Sequence, residues 1–314
     1  VGFTAVILTL LALDLFVFHR KAHTVSLKEA GLWTIGWVSL ALLFNGFIYA
    51  WAGTDAGLEF TAGYLVELAL SVDNMFVFAL IFGMFAVPSA YQHRVLFWGI
   101  LGALVMRFIF ILTGAALMDT FHWIIYVFGA FLIFTGIKIL RQREHTMDLE
   151  HNVVLRLFRR FVPMTSEYHG QRFTIVQAGK RFATPLLAVL VLVEATDLVF
   201  ALDSVPAIFA ITEDPFIVYT SNVAAILGLR SLYFLLAGIM DRFHYLKVGL
   251  GAVLVFVGIK MAGSDVYHMP IAISLAVIVL LIGGSIVLSL LRPLEEETDQ
   301  HERSKKLEPT MLGD

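Results

Sequence analysis

Cysteine is absent from the 314 residues, and charge is scarce, with Asp, Glu, Lys and Arg together making up 15%. The first absence removes disulfides, thiolate metal sites and thiol nucleophiles at once. The second excludes an ordinary soluble domain, in which about 25% of residues are charged. No Gly-x4-Gly-Lys-Ser/Thr phosphate loop occurs, so an ATP-driven pump is not expected within this chain. The net charge of −3 gives no basic surplus, and no nucleic-acid partner is expected. What the chain has instead is apolar sequence: 59% hydrophobic residues and a mean hydropathy of +0.84.

Apolar stretches of membrane-spanning length recur throughout, and the expected partner is a lipid bilayer. Nine candidate spans cover roughly 2–18, 30–52, 62–87, 95–118, 122–140, 183–211, 215–239, 245–262 and 269–291. The first is not read as a signal peptide, because Arg20 and Lys21 follow its apolar core rather than precede it. The connections alternate in charge. Arg20, Lys21 and Lys28 lie in the first and only Asp55 and Glu59 in the second, while the loop 141–182 holds eight basic residues and Glu213-Asp214-Pro215 none. Basic loops stay inside, which puts the N-terminus outside and the C-terminus in the cytoplasm. Lys260 is the exception, at an outer helix end where it can snorkel. The run Leu155-Arg156-Leu157-Phe158-Arg159-Arg160-Phe161 reads either as an amphipathic segment on the inner surface or as a solvated connector.

Two segments repeat one another. Gly102–Lys138 and Gly228–Lys260 align Arg107 with Arg230 and Asp119-Thr120-Phe121-His122 with Asp241-Arg242-Phe243-His244, and both end in Gly-Ile-Lys. Upstream of each lies an acidic signature, Glu67-x5-Asp73-Asn74 in one and Asp197-x5-Asp203-Ser204 in the other. Each unit spans three helices, so the second copy is upside down relative to the first. The expected fold is therefore an all-α polytopic membrane protein with an inverted three-helix repeat, an architecture that binds substrate near the midplane where the copies meet. Residues 1–140 hold the first five helices and the first repeat, and 141–182 form a cytoplasmic loop. Residues 183–262 hold the second repeat, and 263–314 the last helix and tail.

Glu67, Asp73, Glu194, Asp197 and Asp203 all fall inside candidate spans. A carboxylate at the bilayer centre costs about 3 kcal/mol, so five cost on the order of 15 kcal/mol unless they pair, protonate or bind a cation. Arg107 and Arg230 can neutralise two, which leaves enough charge for a divalent ion. Six residues of helix separate Glu67 from Asp73 by about 9 Å and about 240°. Either the helix is interrupted or the pair forms two stations on a path, and Pro206 after Asp203 favours an interruption in the sixth span. Glu194 and Asp197 are three apart and share a face. Carboxylates, the Asn74 amide and the Ser204 hydroxyl are hard oxygen ligands suited to Mg²⁺, Ca²⁺ or Mn²⁺. Met75 is either a soft ligand or a packing residue. Asp14 either snorkels near Arg20 and Lys21 or lies on the permeation path. Asn45 and Asn222 suit hydrogen bonds between helices, and His93, His122 and His244 are read as capping or surface residues.

The motifs GYLVELALSVDN and LVEATDLVFALDSVPAIFAITEDPF, with LALDLFVFHR in the first span, resemble those of the TerC family of bacterial integral membrane proteins. The resemblance implies a bacterial inner-membrane location and export of manganese, with Mn²⁺ as transported substrate and no resident cofactor. It also carries the historical association with tellurium resistance and a response to alkaline pH. By the same resemblance the motif acids are Glu67, Asp73, Asp197 and Asp203, with Asn74, Glu194 and Ser204 alongside. The expected activity is alternating-access transport coupled to protons, not an enzyme. Two alternatives stay open: a membrane accessory factor for metal delivery or stress resistance, and an intramembrane acid-base hydrolase. The hydrolase would need the Gly-x-Gly-Asp setting of intramembrane aspartyl proteases, which is missing. A homo-oligomer or a membrane partner is compatible with everything above.

Overall fold

The computed structural model describes Ile7, Thr9 and residues 26–141, 153–177, 179–237, 245–267 and 269–291. The rest of the first candidate span with Asp14, the Asp241–His244 turn and the tail after 291 lie outside the described residues. Long helices account for nearly everything else. They are α1 (Leu27–Ala52), α2 (Thr54–Met84), α3 (Ser89–Thr120), α4 (Ile124–Arg141), α5 (Val153–Phe161), α6 (Pro185–Phe209), α7 (Pro215–Leu227), α8 (Leu229–Leu236), α9 (Leu246–Ala262) and α10 (Ile271–Leu291). Six of these are long and apolar enough to cross a membrane, or seven if the α7–α8 pair, bent by 40°, is one span. That is fewer than the expected nine. Helix α9 has 17 residues, and most of the first span lies outside the described residues.

Local chemistry places the helix starts. Ser26 accepts a hydrogen bond from the Glu29 amide at 3.2 Å, half of a Ser-x-x-Glu capping box. Asp214 accepts from Phe216 N–H at 2.8 Å and is followed by Pro215 at the first helical position of α7. The bend between α7 and α8 falls at Gly228, where a helix is weakest. Two expectations are corrected. Helix α6 runs unbroken through Pro206, since the ring removes one N–H but the ladder resumes with Ala210 N–H donating to the Pro206 carbonyl at 3.0 Å. The fold is also not wholly helical. Thr174–Gln177 (β1) and Lys180–Ala183 (β2) form an antiparallel hairpin, turning at Gly179 with φ +76°. The β-branched run Thr174-Ile175-Val176 favours extended chain.

Four helices share a layered interior. Around one end, Phe78, Ile81 and Phe82 of α2 pack with Val95 and Leu96 of α3, Leu186 and Val189 of α6, and Ile226 of α7. Around the other, Ala62 and Val66 of α2 pack with Ile111, Ile208 and Val218. Reading along each helix, the residues between these clusters are polar and buried: Glu67, Ser71 and Asn74 on α2, Arg107 on α3, Asp197 and Ser204 on α6, Ser221 and Asn222 on α7. The bundle is thus apolar, polar, apolar along its axis.

Helices α4 and α9 approach closely enough for backbone to meet backbone. A Cβ added at Gly129 would lie 2.9 Å from the Gly258 carbonyl, and one at Gly258 would lie 2.7 Å from the Gly129 carbonyl. Gly136 and Gly251 stand in the same relation, at 2.7 and 3.1 Å. The helices are therefore antiparallel, with small residues allowing contact as in other membrane pairs. In the aligned segments GAFLIFTGIK and GAVLVFVGIK, Gly129 corresponds to Gly251 and Gly136 to Gly258, so each glycine meets the counterpart of its neighbour.

Replacing Gly136 by Ala is expected to destabilise the protein by about 1–3 kcal/mol through overpacking. Gly46→Ala, where nothing lies within 4 Å, is expected to be neutral or slightly stabilising. Thermal denaturation in detergent reads the contrast, and equal midpoints for the two variants would count against this packing.

Candidate functional site

The polar layer is organised by Arg107, among the largest side chains with no solvent exposure. One terminal nitrogen, Nη1, donates to the Glu67 carboxylate and to Ser204 Oγ at 2.9 Å. The other, Nη2, reaches Asp197 Oδ1 at 3.5 Å. Glu67 is held further by Ser71 Oγ, one turn along α2, at 3.3 Å, and by Asn222 Nδ2 at 3.0 Å. One guanidinium therefore ties α2, α3 and α6 together, with α7 joined through Asn222. A buried guanidinium–carboxylate pair gains strongly from the low dielectric but lost as much on leaving water, so breaking it from one side is the costly event.

Three groups in this layer have no hydrogen-bond partner among the described residues: Asp197 Oδ2, Asn222 Oδ1 and Arg107 Nε. Two of the three are hard oxygen acceptors. Asp197 also lines a cavity of about 20 Å³ with Arg230, Gly99 and Ile226, room for about one water-sized occupant.

Of the residues singled out from sequence, Glu67, Asp197, Ser204 and Arg107 are brought together, and Arg230 adjoins them at that small cavity. Asn74 is buried in the same layer, with Met75 beside it packed into the apolar cluster. Asp73 is half-buried. Asp203 lies on a different face of α6, toward Thr135 and Lys138 of α4, as six residues of unbroken helix require. Glu194 is half-buried and occupies the notch left by Gly102 on α3, where any Cβ would overlap its carboxylate. Among the described residues no three His, Asp or Glu side chains converge as a ready metal cage. Ser71 is the site residue that sequence reasoning left out, and Asn222, expected to bond between helices, does so to Glu67. Ser71 stands four residues from Glu67, a legible helical neighbour, whereas Asn222 becomes a partner only through packing. Asn45 donates to Thr61 Oγ1 at 2.7 Å, the interhelical bond expected of it.

A second polar site lies where α3 ends and α7 begins. A cleft of about 590 Å³ is lined by Asp119, His122, Glu213 and Pro215 among others. His122 faces Asp265 at 3.1 Å, both exposed, and Tyr126 donates to the same carboxylate.

A profile of the integral membrane protein TerC family matches residues 52–297. The chain belongs to this family. It is 54% identical over 304 residues to "Uncharacterized membrane protein STKORF319" of Myxococcus xanthus, covering 97% of this chain and 95% of that protein. It is 47% identical over 286 residues to "Putative membrane-bound redox modulator Alx" of Escherichia coli K12, covering 88% and 89%. A Rickettsia bellii membrane protein is 41% identical over 290 residues, covering 92% and 96%. No solved structure matches.

Arg107→Met is expected to cost about 3–5 kcal/mol, because it leaves Glu67 and Asp197 buried without their counter-charge. Adding Glu67→Gln to that variant is expected to restore part of the loss. Thermal midpoints in detergent measure both, and additive losses in the double variant would contradict a shared ion pair.

Proposed function

We propose that this TerC-family membrane protein is a transporter that moves a hard divalent cation, Mn²⁺ being the substrate the family resemblance implies, out of the cytosol by alternating access. The observation that carries the reading is the buried layer in which Glu67 and Asp197 meet at Arg107, with oxygens on Asp197 and Asn222 that have no partner among the described residues. Those oxygens are hard donors of the kind Mn²⁺, Mg²⁺ and Ca²⁺ accept.

The fuller topology belongs to the same proposal: nine spans in a bacterial inner membrane, N-terminus outside, with two inverted three-helix halves. Its support is the reciprocal glycine contact of α4 and α9. A two-fold axis makes residue i meet j′ while j meets i′, and Gly129 with Gly258 and Gly136 with Gly251 follow that rule. Glu67 and Asp197 open the two acidic signatures at equivalent positions, and both bond the same arginine. The Asp119–Glu213 cleft then lies on the outer side, a carboxylate-lined exit.

Charge arithmetic supplies a coupling. With both acids ionised, Glu67, Asp197, Arg107 and the adjoining Arg230 sum to zero. A divalent ion makes the layer +2, which is costly in low dielectric. Further carboxylates must ionise to offset it, and Glu194, three residues from Asp197, is placed to be one of them. Metal entry thereby expels a proton, and reprotonation favours metal release. No reacting centre is required, and the reading is not that of an enzyme. The relatives named as redox modulators suggest a second reading. In this chain that role would not run through thiols, since cysteine is absent.

Proteoliposomes loaded with a metal-quenched dye test the proposal. Wild-type protein is expected to admit Mn²⁺ at least tenfold faster than the Asp73→Ala, Asp203→Ala double variant or Glu67→Gln alone. Equal rates in all three would overturn it. Flux that is the same under an imposed reducing and an imposed oxidising poise, beside lost flux in the acid variants, would set aside the redox reading for this activity.

A further inference from the structure

The short helix α5 is not absorbed by the transport reading. Its inward side is settled: Leu155 is buried, and Val154 and Phe158 pack on the cluster formed by Phe82 at the end of α2, Val95 at the start of α3 and Leu186 at the start of α6. That contact sets the depth of α5. It lies level with the ends of three apolar helices, where hydrocarbon gives way to headgroups.

The opposite side is open. Val153, Leu157 and Phe161, spaced four residues apart, are 63%, 54% and 74% exposed. Such spacing keeps the three on one stripe of a helix. Arg156, Arg159 and Arg160 are exposed beside it, and none of the three makes a salt bridge among the described residues. From the helix to the end of the hairpin positive charge prevails, residues 153–183 holding six Lys and Arg against Glu167 alone, while Glu144, Asp148 and Glu150 precede the helix in sequence. A stripe of apolar side chains in water is unfavourable, and arginines with no carboxylate partner among the described residues add a second demand. Both are met by one surface. An apolar stripe rimmed by arginine is the pattern of a helix lying in the plane of an anionic membrane surface, rings and methyls among the acyl chains and guanidiniums on phosphates.

We propose that α5 is an in-plane anchor that binds anionic phospholipid headgroups at the membrane face onto which the 153–183 segment folds. The hairpin β1–β2 and the loop before it hold the anchor against the bundle. Tyr168 donates to the Phe85 carbonyl at 2.7 Å, and Arg94 of α3 stacks on Phe173 at 5.1 Å. Burial of Tyr168 raises its phenol above the ordinary value, so that hydroxyl stays a donor through neutral pH. Anionic lipid thereby gains a mechanical connection to the ends of α2, α3 and α6, the three helices that Arg107 ties together.

The absence of native cysteine makes the test direct. The full chain carrying Val153→Cys, labelled with an environment-sensitive fluorophore, is reconstituted in phosphatidylcholine vesicles containing 30% phosphatidylglycerol, where about 30% is a composition that gives a strongly negative surface. A headgroup nitroxide on phosphatidylglycerol is expected to quench the label about threefold or more strongly than the same nitroxide on phosphatidylcholine. Arg156→Gln, Arg159→Gln and Arg160→Gln together are expected to bring that ratio close to one while the elution profile stays that of wild type. A label at Thr165→Cys, off the stripe, is expected to be quenched weakly by both lipids. Three results would overturn the proposal. The Val153 label could remain water-exposed and unquenched, be shielded yet unquenched because protein covers it, or be quenched equally by both lipids with no change on removing the arginines. Since the readout is lipid contact and not flux, this proposal and the transport reading fail separately.

Discussion

A guanidinium with no access to water holds this molecule's central layer. Arg107 cannot shed its proton, so its burial is tolerable only while carboxylates surround it, and Glu67 and Asp197 have the converse requirement. The three side chains come from α2, α3 and α6, and their mutual need sets the relative depth of those helices. A shift of one helical turn, about 5.4 Å, would strand a charge against Phe78 and Ile81 on one side or Val66 and Ile208 on the other. The apolar clusters above and below seal the layer and deepen the penalty for misalignment. Polar groups here do the work of register that apolar shape does in a soluble core.

The α4–α9 pair is held by different physics. Lipid tails are as apolar as leucine, so two helices in a membrane gain little from hiding hydrocarbon, and close packing must supply the attraction. Glycine at 129, 136, 251 and 258 lets the backbones touch over two turns. The pair is a tight unit, and through Leu132, Val253 and Val257 it also joins the apolar cluster of Val66 and Ile208, beside a charged layer that is tight for electrostatic reasons.

The charged layer is also what the proposed cation cargo rests on. Its donors are oxygens, and the acceptors without a hydrogen-bond partner among the described residues are one carboxylate and one amide oxygen. A soft ion would find neither thiolate nor imidazole there. The relatives bear different names, among them membrane-bound redox modulators, and the proposed cation role rests on buried carboxylates from facing helices.

Much of this was written in the one-dimensional pattern. Hydropathy located the helix ends from Leu27 onward to within about three residues, except that α2 and α3 begin about eight and six residues earlier than expected, because a helix in lipid must satisfy its own backbone and so obeys length and composition. The cost of burying charge singled out Glu67, Asp197 and Arg107, and the repeat paired Glu67 with Asp197 before any contact was known. Less local features escaped. Pro206 suggested a break in α6, but neighbouring helices hold the ladder together, and the chain bends at Gly228 instead. The hairpin at 174–183 was invisible because four-residue strands in a basic loop carry no period. Asn222 read as a generic interhelical donor, and only packing aimed it at Glu67. The division follows from range. Solvation energy is a property of each residue and its neighbours in sequence, so it can be read from the chain by itself. Which carboxylate meets Arg107, and which oxygens are left over, depends on distances between helices far apart in sequence, and those exist only once the bundle has closed.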